Sequence, residues 1–453
     1  MGDYDVEAVK RRFRAFRELA FPMISIFRST RLAVALAATV ACTLATATAA
    51  DRATPKDWTL AHFDPQQNAE VGGPSSPISW SFSMGKGSSA TPTVSGSLVF
   101  VASNDDYVYA LDIKTGAKVW AYQTGNRVMT APVVWHGIVF AGQGNAEPIV
   151  WDPPSYAVIG SGINAAYGID AKTGKNLWYR GVLGTAMPSA AIVDGTVIQH
   201  NGAGFVIARS LLDGTLLWRT YVDSTAAMSA INVVNRTEIV TSGTQPNAVI
   251  ALRPQDGKIL WTHPFFPEGI NAMADCPVAT DGTRIYGMYI APRPPAVLAD
   301  AGPQEQHVYA LDAQSGKQLW NEVVESGVPP SRNQSAIPMV HDGILYDGSS
   351  VAPYVHAFDA ATGKLLWRVH VGGAVKPGIV FHNGAIYFGD MGGYLWALDA
   401  KTGAVLGSKH MPDRFNVASP IIVGENLIVP GGKQYVFSVP LAEIRASHDF
   451  KTP

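Results

Sequence analysis

Short apolar runs, each long enough for one β-strand, follow one another along most of the chain and are separated by Gly- and Asp-bearing turns. One pattern recurs. Residues 108–120 read VYALDIKTGAKVW, and the pattern returns at 166–178 (AYGIDAKTGKNLW), 308–320 (VYALDAQSGKQLW) and 355–367 (VHAFDAATGKLLW). Weaker copies stand at 206–218, 249–261 and 395–407. Each copy is preceded by a small, Pro-rich start such as MTAPVV (129–134), a His-Gly or Asp-Gly turn, and a strand such as GIVFAG (137–142). The unit is therefore four short strands, here named A (innermost) to D (outermost). The Asp of the D-x-x-T-G turn bonds turn amides and Gly116 supplies a positive φ.

A four-stranded sheet cannot bury both faces alone, so the units must stack radially and close on themselves. The strand D tryptophans, Trp80, Trp120, Trp178, Trp218, Trp261, Trp320 and Trp367, with Gly407 in the eighth place, predict an all-β, eight-bladed β-propeller. A large ring lying flat between neighbouring units buries much apolar area. The last blade takes three strands from about 418–440 and is closed by the N-terminal strand 78–82, which removes free edges. The chain then divides into a signal segment over 1–50, an arm over 51–77, the propeller over 78–440 and a tail over 441–453.

Composition agrees with many strands and turns: 44 Gly, 30 Pro and 15% charged residues. A net charge of −2 excludes a globally basic nucleic-acid binder, so any charge-based recognition is local. Arg28 and Arg31 precede a small apolar run, 32–50, too short and too rich in Ala and Thr for a membrane span. It reads as an export signal with cleavage near Asp51, starting at Met1 or at Met23, and it places the protein in the periplasm, outside the cell or at the outer membrane. Cys42 has a poor lipidation context, with Thr39 where an aliphatic residue is expected. Cleavage leaves Cys276 as the mature cysteine, which excludes an intrachain disulfide and a CxxCH haem site.

Strand order sorts the loops. D–A and B–C loops share one face, and the D-x-x-T-G turns lie on the other. Both long insertions, 142–165 and 291–307, are B–C loops, positioned to carry function, to cap the propeller or to make a homodimer contact. Registering the repeats on their A–B turns gives one channel position per blade: Thr130, Pro188, Ser229, Asp275, Ala336, Pro377 and Ala418. Asp275 is the ionisable residue among them. Close by stand Arg127, Asn271, Arg332, Asn333, Lys376, Arg414 and Asn416. Converging cations in a concave site suit a small anionic substrate, and a carboxylate among them suits general acid–base work. His136, His341 and His382 recur at the A–B turn on the opposite face and read as structural. No motif indicates a metal site.

The A-x-D-x-x-T-G-x-x-x-W pattern, complete at 110–120 and 357–367, resembles the tryptophan-docking repeat of the quinoprotein-like (PQQ-type) propellers. The resemblance covers roughly 78–440 and implies the fold; it does not choose a function. Likeness to tetrathionate hydrolases implies hydrolysis of a small sulfur oxyanion, with Asp275 as acid/base and no cofactor. Likeness to PQQ-dependent alcohol dehydrogenases implies PQQ with Ca²⁺, Asp275 as base and Asn145 of GNAEPIVWDPP (144–154) as a ligand. That family's vicinal cysteine pair is absent here, and no set of oxygen ligands gathers around Asp275. Likeness to the outer-membrane assembly scaffold implies a non-enzyme with a lipidated cysteine and shorter loops.

Overall fold

The computed structural model describes residues 55–145, 149–152, 155–158, 160–244, 247–265, 276–292, 304–328 and 336–451. The signal segment expected over 1–50 lies outside them. Eight sheets, each with a four-stranded antiparallel A–D core, form the blades of a propeller. Blade 1 spans 93–123, blade 2 133–181, blade 3 191–221, blade 4 232–264, blade 5 279–327, blade 6 339–370, blade 7 380–410 and blade 8 421–440. Trp80–Ser83 pairs with Tyr435–Pro440 as strand D of blade 8, so the N-terminal strand closes the ring as the repeat count requires.

The repeat is a docking device between blades. Each strand D indole N–H donates to a carbonyl of the next blade: Trp80 to Ile113, Trp120 to Ala171, Trp178 to Leu211 and Trp261 to Ala313, at 2.7–3.0 Å. Trp218, Trp320 and Trp367 do the same to Pro254, Ala360 and Ala400. The ring lies over the turn glycine it meets. A Cβ on Gly116 would stand 2.6 Å from the Trp80 ring, so that position needs glycine for clearance as well as for its φ of +67°. Across the strand pair, each tryptophan sits opposite a small residue: Ala110, Gly168, Ala208, Ala251, Ala310 or Ala357. The bulge that follows carries the chain into the turn. There Asp112 accepts from the Lys114 and Thr115 amides and the Thr115 hydroxyl. Hydroxyl and amide donors of the same kind hold the Asp170, Asp312, Asp359 and Asp399 carboxyls below their usual range.

The tail is not featureless. Leu441–Ala446 forms a short helix with Leu441 and Ile444 buried. It packs on Gly407, where a Cβ would strike the Ile444 carbonyl and stand 2.6 Å from Arg445 Cα. The missing eighth tryptophan thus marks the place where helix backbone replaces an indole. Gly407→Trp, which restores the repeat, is expected to destabilise the protein by about 3 kcal/mol or more, as overpacking does. A urea midpoint equal to or above the parent's would refute this account.

The arm is the largest departure from the repeat. Residues 55–71 pass along the innermost strands and bond to all eight blades in turn. Carbonyls of Pro55, Thr59, Pro65, Gln66 and Ala69 accept the amides of Gly96, Ile192, Thr280, Val340 and Ile422 at 2.8–3.0 Å. Trp58 and Val134 exchange two backbone bonds, the Asn232 amide side chain donates to Pro65 O, and Asn68 Oδ1 accepts from Phe381 N. Glu70–Val71 ends the path as a parallel fifth strand inside blade 8. The A–B turn histidines serve this arm and its neighbours: His136 N donates to Asp57, His382 lies between Glu70 and Glu425, and His341 stacks on Phe381. His382 is raised above its ordinary value, first by its bond to Glu70.

Candidate active site

Each D–A segment delivers a residue to one small cavity on the channel axis. Its wall holds Ser89, Ala90 and Thr91 from the blade 8–1 segment, then Met129, Ser189, Met228, Pro277, Ile337, Lys376 and Val417 in blade order. The six described channel positions counted from the A–B turns are therefore each one residue off. Thr130 and Ser229 are fully buried and not among the residues of the cavity wall. Thr130 Oγ1 ties its own blade to the next, donating to Gly142 O at 2.8 Å and Ala186 O at 2.6 Å. Side chains alternate across a strand, so a one-residue slip exchanges wall for packing.

Of the expected site residues, Lys376 is in the wall and only 2% exposed. Burial, and then the positive charge of Arg414, lower its amine to about 8. It is still mainly a cation at pH 7. Arg414 itself is exposed, and Asn416, two residues on, is half-buried. Asn416 Oδ1 is buried with no hydrogen-bond partner among the described residues. Arg127 is exposed, its backbone held within its own blade by Asn126 and Gly144. Asn271, Asp275, Arg332 and Asn333 lie outside the described residues. The chain just after Asp275 is described: Cys276 is buried, and Pro277 is on the cavity wall.

One cavity residue was missed from the sequence. His62 of the arm reaches the axis, with Nε2 3.0 Å from Ser419 Oγ and 2.9 Å from Thr91 Oγ1. The ring therefore joins blades 8 and 1 from within. It is buried, and burial lowers it to about 4, so it is neutral near pH 7. No local signal marks it, because the arm carries no repeat and the ring's place depends on the path around the channel.

The described residues do not fit PQQ with Ca²⁺. The cavity at His62 is about 30 Å³ among the described residues. Asn145, the expected ligand, accepts from Ser161 N through its oxygen and donates to Asn126 and to the Ser161 side chain, so its function is to pin its own loop. Among the described residues no group of three acidic, His or Cys side chains is arranged to hold a metal ion. Nor is any described helix long and apolar enough to cross a membrane.

Eight blades, with indole-to-carbonyl docking at seven of their seams, around a channel lined by the D–A segments, define a PQQ-repeat propeller. The chain belongs to the family described as outer membrane protein assembly factor BamB, whose model matches residues 74–238, 213–352 and 351–440. It is 25% identical to tetrathionate hydrolase of Acidithiobacillus ferrooxidans over 79% of this chain and 74% of that protein. It is 24% identical to outer membrane protein assembly factor BamB of Yersinia pestis over 79% of this chain and 88% of that one. Among solved structures, quinohemoprotein alcohol dehydrogenase from Comamonas testosteroni superposes with a TM-score of 0.64 at 14% identity, covering 89% of this chain and 82% of that one.

Proposed function

We propose that this chain is an exported hydrolase of a small sulfur oxyanion, similar to tetrathionate hydrolase, acting at the open end of the propeller channel. The observation that carries the reading is Lys376, a cation buried in the channel wall beside Arg414. A cation in the wall of a concave site attracts a small anion. A dianion such as tetrathionate offers charge at both ends to cations at the channel mouth. The likeness to tetrathionate hydrolase over most of both chains supports the same class. In the reaction, water splits tetrathionate to thiosulfate, sulfate and sulfur and releases two protons. Asp275 serves as the general acid/base, and Arg127, Asn271, Arg332, Asn333 and Asn416 complete the anion's surroundings.

The test is thiosulfate release from tetrathionate by the purified mature protein, with and without added PQQ and Ca²⁺. Release independent of both is expected. Lys376→Met should lower kcat/KM about 100-fold, and Asp275→Asn should lower kcat about 100-fold or more, the usual weight of an electrostatic or acid–base group. A bound quinone with dye reduction by an alcohol would sink the hydrolase reading. The family match favours a second reading, a non-enzymatic scaffold of outer-membrane assembly. Its mark would be a protein inert toward tetrathionate that co-purifies with outer-membrane barrel machinery.

A further inference from the structure

Strand D of blade 5 runs Gln318–Gly327, ten residues, where strand D of each other blade has six or fewer. The added residues carry Glu325. Between this strand and strand D of blade 6, Leu365–His370, lies a groove of about 690 Å³. Small-molecule sites commonly enclose roughly 300–1,000 Å³. Strand D is the outermost of its blade, so the groove stands at the outer edge of the propeller, while the channel cavity is walled from the strand A side. Part of the groove wall is apolar, and two of its side chains, Val323 and Leu365, are exposed.

A fixed cation stands beside that apolar wall. Arg368 Nε donates to Glu325 Oε1 at 2.7 Å, and the guanidinium carbon lies 3.5 Å from the centroid of the Tyr354 ring. Glu325 is itself anchored, with His356 Nε2 at 2.9 Å and only 8% of its side chain exposed. Against the upward push of burial, the bonds from His356 and Arg368 hold the Glu325 carboxyl below its usual range, so it stays ionised at neutral pH. Arg368 is thus tied by its Nε and by one face, and its side chain is still 43% exposed. Its two Nη groups make no hydrogen bond to a described residue. They are the fork that pairs with a carboxylate through two parallel bonds, and a guanidinium already held in place loses little further freedom when it does so.

The remaining charges select the anion. The formal charges of Arg368 and Lys364 on the wall are balanced by those of Glu322 and Glu325. A doubly charged oxyanion would meet two carboxylates with no surplus of cations to offset them. A monoanion with an apolar body meets the fork with one charge and covers Val323 and Leu365 with the rest. We propose that the groove between blades 5 and 6 binds a small organic monocarboxylate, with its carboxylate on the Nη groups of Arg368 and its apolar body against Val323, Val324 and Leu365. This site is separate from the channel, and its test needs no turnover of tetrathionate.

The test is calorimetric titration of the purified mature protein with hexanoate, compared with acetate, 1-hexanol and sulfate. Hexanoate is expected to saturate a single site with a Kd of about 1 mM or below. Acetate lacks the apolar body and 1-hexanol lacks the charge, so each should bind at least about tenfold more weakly. Arg368→Lys keeps the charge and loses the fork, and it should weaken hexanoate about tenfold or more. The melting midpoint of this variant should stay within a few degrees of the parent's, because the side chain is partly exposed. In the parent, the ¹⁵N signal of Arg368 Nε should shift along the same isotherm, which checks the site without any substitution. No saturation by about 10 mM hexanoate overturns the proposal, and so does an Arg368 signal that does not move. Sulfate displacing hexanoate at equal concentration overturns the ligand class. Hexanoate binding that survives in Arg368→Lys and is lost in Lys376→Met places the carboxylate in the channel and overturns the groove.

Discussion

A chain from which residues 55–73 have been removed is expected not to form a stable monomeric propeller. The arm supplies backbone partners to inner strand amides in blades 1, 2, 3, 5, 6 and 8 and side-chain bonds in blades 4 and 7. Each buried amide left without a partner costs about 1–3 kcal/mol. Five of the six are buried, Gly96 being exposed, and together they cost on the order of the whole stability of a typical domain, about 5–15 kcal/mol. Apolar burial adds to this: Trp58 is fully buried, with Leu60, Ala61, Ala69 and Val71 behind it. The expected result is an insoluble product, or a soluble one that binds a hydrophobic dye and melts without cooperativity. Trp58→Ala is the graded version and should cost about 3–5 kcal/mol by urea unfolding. A deletion variant melting within a few degrees of the parent would show that the strand D closure of blade 8 suffices.

The second large effect lies between blades 5 and 6. Asp347, His356 and Arg368 stand opposite one another on strands B, C and D of blade 6, so their side chains share the face turned to blade 5. Blade 5 answers with Gln306, whose amide donates to Asp347 Oδ2 at 2.7 Å, and with Glu325, which bonds His356 at 2.9 Å and Arg368 at 2.7 Å. Asp347 is completely buried and its Oδ1 has no partner among the described residues. Burial raises it to about 8, against a lowering by the Gln306 bond. Its folded value is above its unfolded value of 3.8, so the folded protein binds the extra proton between the two. Stability from this group is complete at about pH 4 and is lost as pH rises toward 8. Asp347→Asn keeps an acceptor for Gln306 and removes the titration. Relative to the parent it should gain on the order of 3 kcal/mol between pH 5 and pH 8. A difference that does not change with pH would show that Asp347 is already ionised in the folded protein. Asp64, raised to about 7 in the same sense, leaves a residual slope in the variant. His62 and His200, both lowered to about 4 by burial, act oppositely and reduce stability as pH falls from 6.5 toward 4.

What could be read from residues alone follows from how local each feature is. The Asp-x-x-Thr-Gly turn, the small residue opposite each tryptophan and the four-strand unit are set within thirteen residues, and repetition turns them into blade number. The closing strand at Trp80 was legible because it is an isolated strand D with no A–C of its own. Lys376 was found through register, since strand A always follows the same D–A segment. At the described positions register failed by one residue at the wall itself: the D–A segments are irregular, and counting back from the A–B turn loses the alternation that decides which side chain meets the axis. Gly407 looked like a failed repeat until the helix at 441–446 occupied its place.

The sequence by itself determined the blades, their number and the docking of each tryptophan, because these depend on a short-range pattern repeated around the ring. Only the tertiary structure decided the path of the arm, the arrival of His62 between Thr91 and Ser419, and the burial of Asp347 between two blades. Those depend on contacts between residues in different blades or in the arm, tens to hundreds of positions apart, such as Asp347 with Gln306 and His62 with Ser419. No periodicity encodes such contacts, and their energies come from which groups are dried and paired once the ring has closed.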